Sequence, residues 1–140
     1  MTVLTDPIRD ALTSGRLAHL VTINPDGSPQ VSIVWTGIED DEIVSGHLGP
    51  RRKLGNARRD PRVSLSVQTG GRNEIGLDHY LVIDGTARIT EGGAADLLQR
   101  LAEVYIGPGV KFPPFDNPPP GYVLRITPLR VGGVGPWTSR

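Results

Sequence analysis

Apolar and polar positions alternate along much of the chain with the two-residue period of half-buried β-strands. The clearest case is the segment 62–69, where Val63, Leu65 and Val67 alternate with Ser64, Ser66 and Gln68. Strands are predicted at six further segments, which are 17–23, about 30–37, a short segment ending near Gly46, 79–90, 122–127 and 131–137. About seven short strands are therefore expected.

Three helices are predicted between these strands. Asp6 as N-cap and Pro7 at the first helical position favour a helix over 7–14. The run HLGPRRKLGNARRDP predicts a loop entering a short helix that Pro61 ends, and apolar residues at helical spacing predict a helix over 94–105.

The connections are mostly of the hairpin type. Asn24-Pro25-Asp26-Gly27 has the proline and glycine of a tight turn. Strands and helices do not alternate regularly, so the pattern predicts a small, mainly β barrel with helices (an α+β fold) and excludes a Rossmann fold. Small residues at Gly85 and Ala87 indicate a sharp bend or the close approach of another backbone.

Residues 107–121, GPGVKFPPFDNPPPG, hold too many prolines for regular structure, and they carry both phenylalanines of the chain. One interpretation is an ordered lid. The other is a surface loop whose phenylalanines plug the end of the barrel.

Composition narrows the function classes. The 140 residues are expected to form one domain over 1–140, they include no cysteine, and the three histidines are scattered, so thiolate catalysis is excluded and no metal site is predicted. Fifteen basic residues balance fifteen acidic ones, which argues against a nucleic-acid partner. An N-terminus without an apolar run and the lack of a spanning segment predict a cytoplasmic protein without membrane association.

The candidate chemistry lies in a cluster of basic residues around the start of the second predicted helix. Its members are Arg51, Arg52, Lys53, Arg58, Arg59 and Arg62. The first three oppose the helix dipole unless an anion is bound, which favours a phosphate site, whereas the last three are expected in structural ion pairs. The alternative is a solvated helix face.

Several segments of the chain together resemble a known family. TINPDGSPQVSIVW, GPRRKLGNARRDPRVSLSV, YLVIDGTARIT and the terminal GVGPW occur in the order and at the separations of the pyridoxamine 5′-phosphate oxidase-like split β-barrels of actinobacteria. The nearest branch is the B group of coenzyme F420-dependent flavin/deazaflavin oxidoreductases. The resemblance covers nearly the whole chain and implies a homodimeric split barrel with two cofactor sites, each built from both subunits.

The resemblance also implies roles for particular residues. Arg51, Lys53 and Asn56 match positions that hold the cofactor's phosphate, and Arg52 matches a phosphate-contacting arginine of the flavin mononucleotide (FMN) branch. The remaining matches lie along the cofactor ring, at Ser32, Ile33, Val34, Trp35, His47 and the C-terminal Trp137. The chain departs from many relatives at Gly55, where they carry a long residue such as arginine.

Each ring-side residue also has a purely structural interpretation. Val34, Trp35 and Trp137 could simply pack in the core or in a dimer contact, as large apolar residues often do. Ser32 could serve only a hydrogen bond within the sheet. His47 is interpreted either as a hydrogen-bonded polar residue or as a proton donor.

The resemblance implies hydride transfer from a reduced deazaflavin to an unsaturated organic substrate such as a quinone, enone or tetrapyrrole. The cofactor carries this chemistry, so no catalytic residue is predicted. The proton would come from solvent, His47, His79 or Tyr80. Two alternatives stay open, which are an FMN-dependent oxidoreductase of the same fold and a non-catalytic carrier of F420.

Overall fold

The computed structural model describes residues 3–138, so the first two and last two residues of the expected 1–140 domain lie outside the described part. It contains three helices and seven strands. In chain order they are α1 (Asp6–Leu12), β1 (Ala18–Ile23), β2 (Pro29–Val34), β3 (Gly37–Glu39), β4 (Glu42–His47), α2 (Arg52–Arg59), β5 (Arg62–Arg72), β6 (Asp78–Glu91), α3 (Ala94–Tyr105) and β7 (Tyr122–Val134).

The seven strands form one antiparallel sheet in the order β2-β1-β5-β6-β7-β4-β3. Its two edge strands, β2 and β3, are consecutive in the chain and are joined only by Trp35 and Thr36. Two residues cannot span a flat seven-stranded sheet, because neighbouring strands lie about 4.8 Å apart. The sheet therefore curls into a barrel whose edges meet at Trp35, which confirms the predicted split barrel.

The barrel core follows from the alternation in the sequence. Val63, Leu65 and Val67 of β5 point inward and are buried, and Leu81 and Ile83 of β6 lie in the same cluster. Helix α1 closes this core with Ile8 and Leu12, and Leu4, just before the helix, belongs to the same cluster. Helix α3 packs on β4 through a second cluster, which consists of Val44, Leu97, Leu101 and Val123.

Several predicted boundaries change. Thr5, not Asp6, is the N-cap of α1, and it makes no side-chain capping bond. The predicted strand 30–37 is divided into β2 and β3 at Trp35 and Thr36, because the chain crosses there between the sheet edges.

The two strands predicted on either side of Pro128 are one strand, β7. The register against β6 shifts there, since Gly85 pairs with Pro128 and Asp84 with Arg130, which leaves Leu129 as an extra residue. A bulge thus accommodates the proline without ending the strand. The prediction that another backbone approaches Gly85 is confirmed, because a Cβ atom there would overlap the carbonyl oxygen of Thr127.

Candidate functional site

Most of the predicted ring-side residues meet around one small cavity at the seam of the barrel. This Trp35 cavity has a volume of about 200 Å³. It is lined by Ile33, Val34, Trp35, Gly46, His47, Lys53, Leu98 and Phe112. The end of β2, the end of β4, the first turn of α2, helix α3 and the proline-rich segment therefore all contribute to it.

Trp35 is held in place by a second aromatic residue. Its ring stacks on that of Tyr105, with centroids 5.1 Å apart and planes 12° apart. The Tyr105 hydroxyl accepts a hydrogen bond from the Thr36 amide at 2.9 Å and donates one to the Arg16 carbonyl at 2.9 Å. The indole is therefore a fixed surface of the cavity.

His47 lies at the polar side of the cavity. Its Nε2 is 2.8 Å from the hydroxyl of Ser45, a buried residue of the same strand. Burial, and after it the positive charges of Lys53 and Arg51, together lower the pKa of His47 to about 4. The imidazole is therefore neutral near pH 7.

Three cations at the start of α2 have no counter-ion within the described part of the chain. Among residues 3–138, the side chains of Arg51, Arg52 and Lys53 make no hydrogen bond or ion pair, and the first turn contains no acidic residue. Burial lowers the pKa of Lys53, and the nearby charge of Arg51 adds to this effect. An arriving anion would relieve this repulsion and would meet the positive end of the helix dipole.

Arg52 faces a different and larger cavity beside the β1–β2 hairpin. This hairpin cavity has a volume of about 610 Å³ and is lined by Asn24, Pro25, Asp26, Arg52, Gly55, Asn56 and Arg59. A Cβ atom at Gly55 would meet nothing within 4 Å. The departure from arginine at this position therefore leaves open space on that face of α2.

The resemblance predicts that Asn56 contacts the phosphate, whereas in the structure its side chain is bound to other protein groups. The residue is 2% exposed. Its amide nitrogen lies 3.0–3.1 Å from acceptors on Thr22, Asn24 and Gln30, and its oxygen accepts a hydrogen bond from Arg59. The side chain is thus saturated by protein groups and fixes α2 against the β1–β2 hairpin.

The other basic residues of the cluster are engaged, although only one of them in an ion pair. Arg62 pairs with Asp60 at 2.7 Å, as predicted. Arg59 instead donates to the carbonyl of Ile23 as well as to Asn56, and the guanidinium of Arg58 lies 5.4 Å from the ring centroid of Tyr122. The expected ion pairs of Arg58 and Arg59 are therefore corrected to a cation–π contact and to hydrogen bonds.

Ser32 carries a buried hydroxyl without a hydrogen-bond partner in the described part of the chain. This contradicts the alternative in which Ser32 serves only a hydrogen bond within the sheet. The cations at the start of α2, with Lys53 lining the aromatic cavity, suit a ligand that is both anionic and ring-bearing.

Trp137 does not join the other predicted residues within one chain. Its indole nitrogen donates to the carbonyl of Tyr80 at 3.1 Å, and its ring lies edge-on to His79. Tyr80 lies near the start of β6, whereas His47 pairs with Tyr122 at the sheet end where β6 finishes. Trp137 therefore lies beside the start of β6 and is not among the residues that line the Trp35 cavity.

Sequence reasoning missed four residues of the site, which are Ser45, Leu98, Tyr105 and Phe112. Leu98 and Tyr105 were predicted only as the apolar face of a helix, and Ser45 lies on the same face of β4 as His47. The presence of both phenylalanines in the proline-rich segment signalled Phe112, but its partner Trp35 is 77 positions away in the sequence. Only the fold brings the two together.

Other types of site find no support in this part of the chain. Residues 3–138 contain no group of three or more histidine or carboxylate side chains arranged to hold a metal ion. Within the same range, the helices lack the combination of length and apolar character that crossing a bilayer requires.

The geometry defines a split barrel with a positively charged helix terminus at its seam. Residues 4–135 match the family described as pyridoxamine 5′-phosphate oxidase. The chain belongs to this family.

Solved structures agree with this assignment. A conserved hypothetical protein from Mycobacterium tuberculosis is 30% identical, with a TM-score of 0.71, over 91% of this chain and 81% of that one. An F420 reductase is 23% identical, with a TM-score of 0.71, over 89% of this chain and 94% of that one. An FAD-binding protein from Mesorhizobium loti is 22% identical, with a TM-score of 0.63, over 93% and 94% of the two chains. The fold is thus one that flavin and deazaflavin proteins use.

Proposed function

We propose that this protein is a coenzyme F420-dependent oxidoreductase of the B group of flavin/deazaflavin oxidoreductases. It transfers a hydride from the reduced deazaflavin to an unsaturated organic substrate of the quinone, enone or tetrapyrrole type. The observation that carries the proposal is the group of cations at the start of α2, of which Lys53 lines the aromatic cavity and Arg51 lies close enough to His47 to lower its pKa. A coenzyme whose phosphate meets these cations and whose ring lies next to the cavity matches both features.

Arg51 and Lys53 are proposed to hold the phosphate. They lie close enough to His47 to lower its pKa together, so both charges act at the polar side of the Trp35 cavity. The backbone amides of Arg52 and Lys53 have no acceptor among residues 3–138, and a phosphate oxygen would satisfy them. Asn56 supports this site indirectly, because it positions α2.

The coenzyme ring is proposed to lie along the backbone from Ser32 to Trp35. Ile33 is 48% exposed at the edge of the sheet, so the outer side of this segment is open to a ligand. When bound, the deazaflavin supplies the hydride. The protein's contribution is to orient the ring beside the substrate and to exclude water.

The final proton is proposed to come from solvent. His47 is neutral near pH 7, since its pKa is lowered to about 4, so it holds no proton that it could readily donate as a general acid. In its neutral form the ring offers one donor and one acceptor, and Ser45 occupies its Nε2. His47 therefore orients polar groups in the site.

A homodimer is proposed to complete each site. The outer surface of the sheet exposes Leu17, Val31 and Ile33, with 56%, 60% and 48% of each side chain accessible. An exposed apolar patch on an edge strand is typical of an interface. A second copy would cover Ile33 and the exposed side of the ring, and it offers a route by which Trp137 of the other subunit reaches the cofactor.

FMN remains the second candidate. The specific observation in its favour is Arg52, which faces the hairpin cavity of about 610 Å³ and is free to contact a second phosphate oxygen. Both coenzymes carry a ring and a phosphate, so the described geometry suits each of them.

Titration of the purified protein with F420 and with FMN, followed by coenzyme fluorescence, tests the proposal. Replacing Arg51 and Lys53 together by alanine is expected to weaken F420 binding by about tenfold or more, because about two charge-assisted hydrogen bonds are lost. A matched control is the Arg72→Ala/Arg88→Ala double variant, which removes two exposed cations far from the cavity and is expected to bind normally.

The outcomes separate the candidates. An equal dissociation constant for the Arg51→Ala/Lys53→Ala variant and the unmodified protein would refute the phosphate site. Tight FMN binding and yellow purified protein would favour the flavin alternative. Binding of F420 without oxidation of its reduced form by any quinone, enone or tetrapyrrole tested would favour a carrier.

A further inference from the structure

The Trp35 cavity has an apolar lining that phosphate binding does not explain. Trp35, Leu98 and Phe112 form this lining, and the cavity contains no acidic residue. We propose that this apolar part binds the electron acceptor, an uncharged planar molecule of one or two fused rings, and that Phe112 limits its size. The proposal rests on the proposed function, since it assigns the second substrate of that site.

The size of the cavity sets the size of the acceptor. Its volume of about 200 Å³ lies below the range of roughly 300–1,000 Å³ that is usual for drug-sized ligands. One or two rings fit such a space, whereas a tetrapyrrole does not. A charged acceptor would lose its hydration against the apolar lining without gaining a partner.

The wall that carries Phe112 is held in place by hydrogen bonds. Gln99 of α3 binds it at two points, because its amide nitrogen donates to the carbonyl of Val110 at 2.7 Å and its oxygen accepts from the amide of Phe112 at 2.9 Å. The amide of Gly109 donates to the carboxylate of Glu103 at 2.9 Å. Residues 109–112 are therefore a fixed wall fastened to α3.

The far end of the proline-rich segment is fastened as well. The amide of Ala94 donates to the carbonyl of Pro120 at 3.0 Å, and that of Gly92 donates to the carbonyl of Gly121 at 2.7 Å. A segment that is held at both ends does not need to order itself when a ligand arrives.

Phe112 also completes the aromatic surface. Its ring centroid lies 5.1 Å from that of Trp35, with the planes tilted by 49°. The ring of Trp35 also stacks on that of Tyr105. A planar acceptor in this cavity meets aromatic faces in an arrangement that favours offset stacking. A quinone there would gain a hydride from the reduced coenzyme and a proton from solvent, to which the oxidised coenzyme releases one proton, and it would leave as the hydroquinone.

The experiment measures acceptor binding without turnover. In a Trp137→Phe background Trp35 is the only tryptophan, so its fluorescence reports the cavity. Duroquinone, menadione and 9,10-phenanthrenequinone form a series of one, two and three rings. Phe112→Ala is expected to lower the ratio of the phenanthrenequinone Kd to the menadione Kd by about tenfold, because removing the ring makes room for the larger quinone. Changes in the size of an apolar pocket typically have effects of about this size.

The chain offers a matched control on the same segment. Phe115, the only other phenylalanine, is 48% exposed and does not line the cavity, so Phe115→Ala is expected to leave the ratio within about twofold of its original value. Gln99→Ala releases the wall and is expected to lower the ratio by an intermediate factor. Phe112→Leu replaces Phe112→Ala if the alanine variant does not fold.

Two results would overturn the proposal: an unchanged Kd ratio in a folded Phe112 variant, or the same change in Phe115→Ala. A failure of Trp35 fluorescence to respond to any of the three quinones would do so as well. Loss of the proposed cofactor would look different, because F420 titration would then fail while the quinone ratio still responded to Phe112.

Discussion

At the residue scale, the fold gives some polar side chains a different task from the one their motif suggests. Asn56 lies within a run that matches a phosphate-binding pattern, yet its side chain bridges α2 and the β1–β2 hairpin. The residue is buried, and its amide nitrogen and oxygen are both bound to protein groups. Lys53 and Arg51, which have no such partners, keep the charge that an anion would meet.

His47 provides a prediction at this scale. Its folded-state pKa of about 4 lies below the ordinary value of 6.5, so the unfolded state binds more protons between these two values. The stability that neutral His47 contributes is complete above pH 6.5 and is lost as the pH falls toward 4. Between pH 7.5 and pH 5 the free energy of unfolding should fall by about 2 kcal/mol on this account.

Urea unfolding of the protein and of His47→Gln at the two pH values checks this prediction. The variant should lack most of the pH-dependent loss, whereas His19→Gln, which changes an exposed histidine on β1, should keep it. Parallel pH dependence in the protein and in His47→Gln would show that His47 is not the group responsible.

At the element scale, β7 is one long strand paired with β6, although the sequence predicted two short strands separated at Pro128. The bulge leaves Leu129, next to Pro128, without a partner on β6, and Gly85 lets β7 approach β6 closely. The local pattern indicated both special positions. It did not indicate that the ladder continues across them, because continuation depends on the partner strand.

Gly85→Ala is therefore expected to lower the free energy of unfolding by about 2–3 kcal/mol, since its Cβ atom would overlap the backbone of Thr127 and crowd Ile126. Gly132 in the same ladder is the control, because a Cβ atom there meets nothing within 4 Å. Gly132→Ala should change stability by less than about 0.5 kcal/mol. Equal losses in denaturant melts of the two variants would contradict the close approach.

At the scale of the whole molecule, the proposed dimer accounts for features that one chain leaves unexplained. Apolar side chains are exposed on the outer sheet surface at Leu17, Val31 and Ile33, and Trp137 does not line the cavity to which the resemblance assigns it. A second copy packed on this surface would bury Leu17, Val31 and Ile33. Its own Trp137 would then be the one that reaches the cavity.

Val31→Asp is expected to shift the protein toward monomer at micromolar concentration and to weaken F420 binding with it, because a carboxylate would be buried without a partner. Val104→Asp is the matched control, since Val104 is 53% exposed on α3, away from the sheet surface. Sedimentation of both variants checks the prediction. A Val31→Asp protein with unchanged mass would place the interface elsewhere.

The sequence by itself determined the local features of this protein. The alternation of Val63, Leu65 and Val67, the turn at 24–27 and the helical spacing over 94–105 all appear in the structure, because each depends on neighbours within a few residues. The cluster of cations at the start of α2 was also visible, since charge and helix start are read from adjacent positions.

Only the tertiary structure decided which side chains meet. Trp35 contacts Phe112 and Tyr105, and Asn56 contacts Thr22, across tens of intervening residues. These contacts exist because a seven-stranded sheet curls until its edges meet at a two-residue link, and closure of that kind is a property of the whole sheet that no single segment encodes.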